Sequence, residues 1–199
     1  HTHVFCSRSL AHIAATFPAN DENGNKLLTS AYQTAMNSIQ SAKYKEKTIG
    51  LSTLAFIVNH RPDLSAANRN DLVQYCVSVI EKVEAGSQEE PMPFVNECVS
   101  LYFTLILQYQ MVGTNDELVN PLIISHAADI CEVEFDDPIL ISYSRFAHYI
   151  VSIDSNSFFK MFISLVITAL CSSRLVLRQI PHETLSFCAE MVSSLPENE

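Results

Sequence analysis

Apolar residues recur at intervals of three and four along most of the chain, and this spacing constrains the fold more than any other feature. The segment KLLTSAYQTAMNSIQS, residues 26–41, is typical, with Leu28, Ala31, Ala35 and Ile39 on one side. A helix with one buried face has this period, whereas a half-buried strand alternates. β-Sandwiches also need many glycine-rich turns, and the 199 residues include only four glycines. The sequence therefore predicts an all-α fold with about eight or nine helices.

Turn signals between the periodic segments give the predicted boundaries. Arg61-Pro62 and Gly113 end helices, because the residue before proline avoids helical geometry and glycine suits a helix C-terminus. The sixth helix begins either at a Thr114–Glu117 capping box or at Asn120 with Pro121 in the first turn. The predicted helices are 3–17, 26–41, 47–61, 66–85, 94–112, one that ends at Cys131, 138–153, 158–173 and 182–194. The predicted domains are an N-terminal helix (1–17), a polar linker (18–25), one helical repeat-like domain (26–195) and a tail (196–199).

Tight turns between helices fall near residues 63, 115 and 155. Helix pairs that repeat every 40–47 residues or so are typical of HEAT and armadillo repeats. Over about 45–175 the chain thus resembles the HEAT/armadillo-like superfamily in architecture, although the pairs share no repeated motif residues. The resemblance implies a solenoid whose surface binds a peptide or another subunit. A single mixed helical bundle is the alternative fold.

Composition narrows the function classes. The net charge of −10 disfavours binding to nucleic acid or to an anionic membrane, because phosphate neutralisation needs an excess of Lys and Arg. The longest apolar runs, 99–107 and 161–171, are shorter than the ~20 residues that span a bilayer. The six cysteines are scattered, without a CxxC pair, and there is no N-glycosylation sequon. We expect all six to be reduced core residues in a cytoplasmic or nuclear protein.

Two helices carry one narrow polar stripe each and are apolar elsewhere. The stripes are Asn96, Ser100, Thr104 and Gln108 in the fifth helix, and Lys160, Ser164, Thr168 and Ser172 in the eighth. Such helices are either central to the fold or present an apolar flank to another chain. In the second case the stripes are expected to lie toward solvent. The predicted partner-binding residues on that flank are Tyr102, Tyr109, Phe159 and Ile163, which would bind a peptide, a subunit or a second copy.

The stretch CEVEFDDP, residues 131–138, concentrates acidic side chains. Its alternation predicts an extended joint with Glu134 and Asp136 outward, and Asp137 as the cap of the next helix. Glu134 and Asp136 would alternatively attract a basic partner. The stretch has no glycine at a tight turn, as a calcium loop would need, and His1, His3, Cys6 and His12 match no common zinc spacing. We therefore expect no metal and no cofactor.

Catalytic motifs are not found. There is no G-x-S-x-G elbow and no glycine-rich phosphate loop, and the histidines are scattered, although a Cys–His pair formed only in space stays open. One basic run with an aromatic residue, AKYKEK, allows an RNA-binding alternative if it forms one patch with two arginines; otherwise it is a solvated loop. The nucleic-acid residues of that alternative are Lys43, Tyr44, Lys45, Lys47, Arg61 and Arg69. The preferred function is a non-enzymatic protein-interaction scaffold, ahead of an RNA-binding adaptor and a small helical enzyme.

Overall fold

The computed structural model describes residues 9–18, 21–86, 90–112, 117–133, 146, 149 and 150, and all the regular structure in them is helical. Short 3₁₀ helices lie at Pro62–Asn68 and Glu117–Val119. The all-α prediction is thus confirmed over these residues. The α-helices are α1 (described over 9–14), α2 (Glu22–Ile39), α3 (Tyr44–His60), α4 (Arg69–Glu84), α5 (Met92–Tyr109) and α6 (Pro121–Val133).

The chain divides into two compact units, His1–Gln110 and Met111–Glu199. Helices α1 to α5 belong to the first unit, and α6 belongs to the second. The boundary between the units falls inside the range 26–195, which the sequence predicts as one domain. In the described part of the chain, none of the helices combines the length and the apolar character that a membrane crossing requires.

Helix α2 begins earlier than the sequence predicts. The Asp21 carboxylate accepts a hydrogen bond from the Gly24 N–H at 2.9 Å, which caps the helix start and lets Glu22 open its first turn. The linker prediction for 18–25 is therefore wrong in its second half, because residues 22–25 are helical. Composition misleads here, since Asn and Gly disfavour helix interiors but are tolerated in a capped first turn.

Helices α2 and α3 form an antiparallel hairpin. The Arg61 guanidinium, at the end of α3, donates to Asn25 Oδ1 in the first turns of α2. Midway along, the two backbones approach closely at Gly50. A Cβ at Gly50 would lie 2.9 Å from Ser38 Cβ and 3.0 Å from the Ala35 carbonyl oxygen. Glycine is thus required by the spacing of the helices rather than by a turn.

Helices α4 and α5 form a second antiparallel pair. The guanidinium carbon of Arg69, at the start of α4, lies 5.8 Å from the ring centre of Tyr109 at the end of α5. Tyr109 also ties α5 to the 3₁₀ segment before α4, because its hydroxyl is 2.7 Å from Ser65 Oγ and donates to the Pro62 carbonyl. These contacts fix the C-terminal end of α5 against the entry to α4.

The two hairpins pack side by side, with equivalent helices parallel. Gln108 donates to Asn59 Oδ1 at 3.1 Å near the C-terminal ends of α5 and α3, and the Phe94 and Tyr44 rings meet near their N-terminal ends. The first helices, α2 and α4, also run parallel, because Asn68 before α4 donates to the Tyr32 hydroxyl at 2.9 Å and Tyr75 further along α4 donates to the Ile39 carbonyl at the end of α2. The turn near residue 63 therefore joins the two hairpins.

Among the described helices, α5 has the most buried residues, twelve. Within the first unit, this confirms the interpretation of the fifth predicted helix as a central helix. The expectation that Asn96, Ser100 and Thr104 face solvent is wrong, because they are only 5%, 4% and 8% exposed. Thr104 tolerates burial because its hydroxyl donates to the Ser100 carbonyl one turn earlier, at 2.8 Å.

Helix α5 ends at Tyr109, before the predicted stop at Gly113. Gln110 takes the left-handed conformation, with φ of 49°, and its N–H turns back to the Ile106 and Leu107 carbonyls. Glycine is the usual residue at such a position, so a glutamine there gives no signal in the sequence.

Helix α6 starts at the second of its two predicted positions, at Asn120 with Pro121 in the first turn. Asn120 Oδ1 accepts from the Ile123 N–H at 3.0 Å, and Pro121 occupies the first helical position. The helix runs to Val133, so the predicted extended alternation is wrong at residues 131–133. Glu134, Asp136 and Asp137 lie outside the described residues, as do the predicted helices 158–173 and 182–194.

Candidate functional site

A pocket of about 130 Å³ opens in the first unit where the segment 9–18 meets the start of α2 and the end of α3. Most of its wall is apolar or small. Among the described residues that line it, the polar side chains are those of Asn25, His60 and Arg61. The other described lining residues are Ala14, Ala15, Phe17, Pro18, Gly24 and Leu28.

Arg61 is held in place by two neighbours. Its Nε and one terminal nitrogen each donate to the Asp63 carboxylate at 2.8 Å, and its other terminal nitrogen donates to Asn25 Oδ1. The hydrogen bond with Asp63 raises the pKa of Arg61, and the same bond lowers the pKa of Asp63, so both groups stay charged near neutral pH. The pair is bidentate, which fixes the orientation of the guanidinium at the pocket.

An aromatic contact fastens the segment 9–18 to α3. The Phe56 ring lies 3.8 Å from the His12 ring and 4.1 Å from the His60 ring, measured between centroids. His60 is oriented further by a contact of 2.8 Å between its Nδ1 and the Phe56 carbonyl oxygen. If Nδ1 carries the proton, Nε2 of the neutral ring is an acceptor.

Two large apolar side chains of the same segment are exposed. Ile13 is 54% exposed and Phe17 is 41% exposed, although Ala11 and Ala14 beside them are buried. Phe17 forms part of the pocket wall and packs on the first turn of α2, where a Cβ on Gly24 would lie 2.7 Å from Phe17 Cβ. The segment is therefore anchored by its alanines and presents its larger apolar side chains outward.

The two predicted partner-binding residues that the structure describes, Tyr102 and Tyr109, do not form an exposed flank. Tyr102 is fully buried, so its assignment to an accessible surface is wrong; α5 is covered too completely to present it. Tyr109 is half-buried, and burial raises its pKa while its hydroxyl is committed to Ser65 and Pro62. Phe159, Ile163, Glu134 and Asp136 lie outside the described residues.

The structure does not gather the basic residues of the RNA alternative into one patch. Lys43, Lys45 and Lys47 lie at the N-terminal end of α3, and Arg61 follows its C-terminal end, about 21 Å from Lys47 along the helix axis. Lys43 pairs with Glu46 at 3.3 Å. The interpretation of AKYKEK as a solvated loop is also wrong, because α3 begins at Tyr44.

Lys47, Tyr44 and Arg69, which also belong to the RNA-binding alternative, make local contacts. Lys47 Nζ lies 5.3 Å from the centre of the Tyr44 ring and 5.7 Å from the centre of the Phe94 ring. Arg69 stacks near Tyr109 at the other end of the hairpins. The two groups of cations thus belong to opposite ends of the first unit.

Cys76 and Cys98 are free thiols buried in α4 and α5. Burial raises the pKa of both thiols, and Cys76 adds to the shift of Cys98. A thiol held neutral in this way is a poor nucleophile. Among the described residues, no group of three or more His, Cys, Asp or Glu side chains is arranged to hold a metal ion.

The pocket was not foreseen from the sequence. Its polar residues lie far apart in the chain, and Arg61 and Asn25 meet only because α2 and α3 pair in antiparallel fashion. The sequence holds one signal of an exposed apolar surface in the first helix. Its buried positions are alanines, whereas the larger apolar residues Ile13 and Phe17 are exposed.

No protein-family model, no curated protein and no solved structure matches the chain significantly.

Proposed function

We propose that the protein is a non-enzymatic interaction module, built as an irregular HEAT/armadillo-like solenoid, that binds a peptide or a protein subunit. The observation that carries the proposal is the packing of α2/α3 and α4/α5 as two hairpins whose equivalent helices run parallel. Successive repeats of helical solenoids stack in this way, because each hairpin buries its apolar face on the next one.

Binding is proposed at the segment 9–18. Ile13 and Phe17 expose apolar surface, Phe17 also lines a pocket with a fixed guanidinium, and aromatic anchors are enriched at the centres of protein interfaces. This surface replaces the flank around Tyr102 as the place where a partner is expected.

Site-specific photo-crosslinking tests the proposal. A benzophenone amino acid is placed at Ile13 or Phe17, and, as matched controls, at the exposed Gln33 of α2 and Gln74 of α4. We expect one defined protein adduct, or an adduct with a second copy, from positions 13 and 17 and none from positions 33 and 74. The same products from all four positions, or no adduct at all, would remove the support for an interaction surface there.

A further inference from the structure

The pocket beside Arg61 has the size of one amino-acid side chain. Its volume is about 130 Å³, slightly below the 150 Å³ or so of an apolar cavity that takes up benzene. Ala14, Ala15 and Leu28 supply aliphatic wall, and Gly24 leaves room where a larger residue would displace Phe17. A branched aliphatic side chain such as leucine fits this space and chemistry, whereas a long polar side chain would lose hydration without regaining hydrogen bonds.

Arg61 leaves hydrogen-bond donors at the wall. A guanidinium has five N–H groups, and three of them are used by Asp63 and Asn25. One N–H on each terminal nitrogen is left for an acceptor. Asp63 compensates the charge of Arg61, which favours a neutral acceptor such as a carbonyl over a full carboxylate.

We propose that this pocket is the anchor site of the interaction module, taking one branched aliphatic side chain of an extended partner peptide whose backbone carbonyl accepts from Arg61. The inference rests on the proposed function and specifies its partner. The partner segment is extended rather than helical, because carbonyls within a helix are already bonded to its own N–H groups. Phe17, which is exposed and lines the pocket, would cover a flanking residue of the peptide.

A minimal probe tests this chemistry. N-acetyl-leucine amide carries one aliphatic side chain and neutral carbonyls, and a ligand of this size is expected to bind with Kd on the order of 1 mM. Methyl NMR spectra of the full chain are recorded during titration. We expect saturable shifts at Ala14, Ala15 and Leu28, and none with N-acetyl-alanine amide, which is too small to fill the pocket.

Two variants separate the parts of the site. Ala15→Met fills the pocket from its wall and should abolish the saturable shifts, whereas Ala67→Met, on the exposed surface of the 3₁₀ segment, should leave them unchanged. Arg61→Lys keeps the charge but loses the planar fork, and should weaken binding about tenfold, the effect of losing one hydrogen bond. Circular dichroism verifies that each variant is folded.

Failure of the anchor site can be distinguished from failure of the interaction module. The anchor site is overturned if no saturable shift is seen at ligand concentrations well above the expected Kd, or if the Ala15→Met variant binds equally well. Either result overturns it even if crosslinking at Phe17 succeeds. If N-acetyl-leucine, which carries a carboxylate, binds more tightly than the amide, the inference that Arg61 prefers a neutral acceptor is wrong. Binding of the amide with no crosslinked partner would leave a small-molecule pocket and contradict the interaction module.

Discussion

Asn96 is the residue with the least satisfied surroundings among those described. Its side chain is 5% exposed, and its Oδ1 accepts no hydrogen bond. A buried acceptor without a donor costs about 1–3 kcal/mol, more than a typical hydrogen bond contributes. An apolar side chain of similar volume avoids this cost.

We therefore expect Asn96→Leu to raise the free energy of unfolding by about 1–2 kcal/mol. Urea denaturation measures it. The matched control, Asn37→Leu at an exposed position of α2, should change stability by no more than ~0.5 kcal/mol. A loss of stability in Asn96→Leu would show that the amide makes bonds essential to α5.

The two buried thiols predict a dependence of stability on pH. The raised pKa values of Cys76 and Cys98 mean that the folded chain keeps both protons when the unfolded chain loses them, above pH ~8.5. Their contribution to stability is complete below that pH and is lost as the pH rises toward the folded-state values. The slope approaches about 1.4 kcal/mol per pH unit for each thiol.

Denaturant unfolding at several pH values between 7 and about 10 measures this slope. The Cys76→Ala, Cys98→Ala double variant provides the comparison, because it lacks both thiols. Its stability is lower at every pH, but its stability should fall less steeply as the pH rises. Equal slopes in the two proteins would contradict the burial of these thiols.

At the scale of elements, Gly50 sets the distance between α2 and α3. Alanine has the higher helix propensity by about 1 kcal/mol, but its Cβ would collide with Ser38 Cβ and the Ala35 carbonyl. Overpacking of this kind outweighs the gain. We expect Gly50→Ala to lower the free energy of unfolding by about 1–2 kcal/mol net.

The control for Gly50 is Gln74→Ala, a change at an exposed position of α4, which should alter stability by no more than ~0.5 kcal/mol. Thermal or urea unfolding compares both with the parent protein. If Gly50→Ala is instead stabilising by its propensity alone, the close approach of α2 and α3 is not present in solution.

The helices that the sequence locates well are those with strong local signals. Pro62 ends α3 one residue from the predicted end, and Asn120 with Pro121 opens α6 at one of the two predicted starts. The predictions fail where tertiary contacts determine which residues are buried. Ser100 and Thr104 look solvent-facing by polarity, yet they are buried in α5. The pocket around Arg61 was beyond prediction, because it depends on which helices pair.

At the scale of the whole molecule, the division after Gln110 predicts an independently folding fragment. Residues 1–110 contain both hairpins with all the helix contacts described for them. We expect this fragment to unfold cooperatively in urea, with helical circular dichroism. A fragment of residues 1–85, which lacks α5 and its twelve buried residues, should not fold cooperatively. A molten 1–110 fragment would contradict the division into two units.

The parallel contact between α3 and α5 has a consequence for folding kinetics. Asn59 and Gln108 are 49 residues apart, whereas each hairpin joins helices that are neighbours in the chain. Contacts between distant residues close a long loop and tend to form late, so we expect each hairpin to appear before the two dock. Asn59→Ala should then speed unfolding and leave the refolding rate nearly unchanged in stopped-flow measurements, provided that it costs more than about 0.6 kcal/mol. A matching drop in the refolding rate would place the docking of α3 on α5 in the folding nucleus itself.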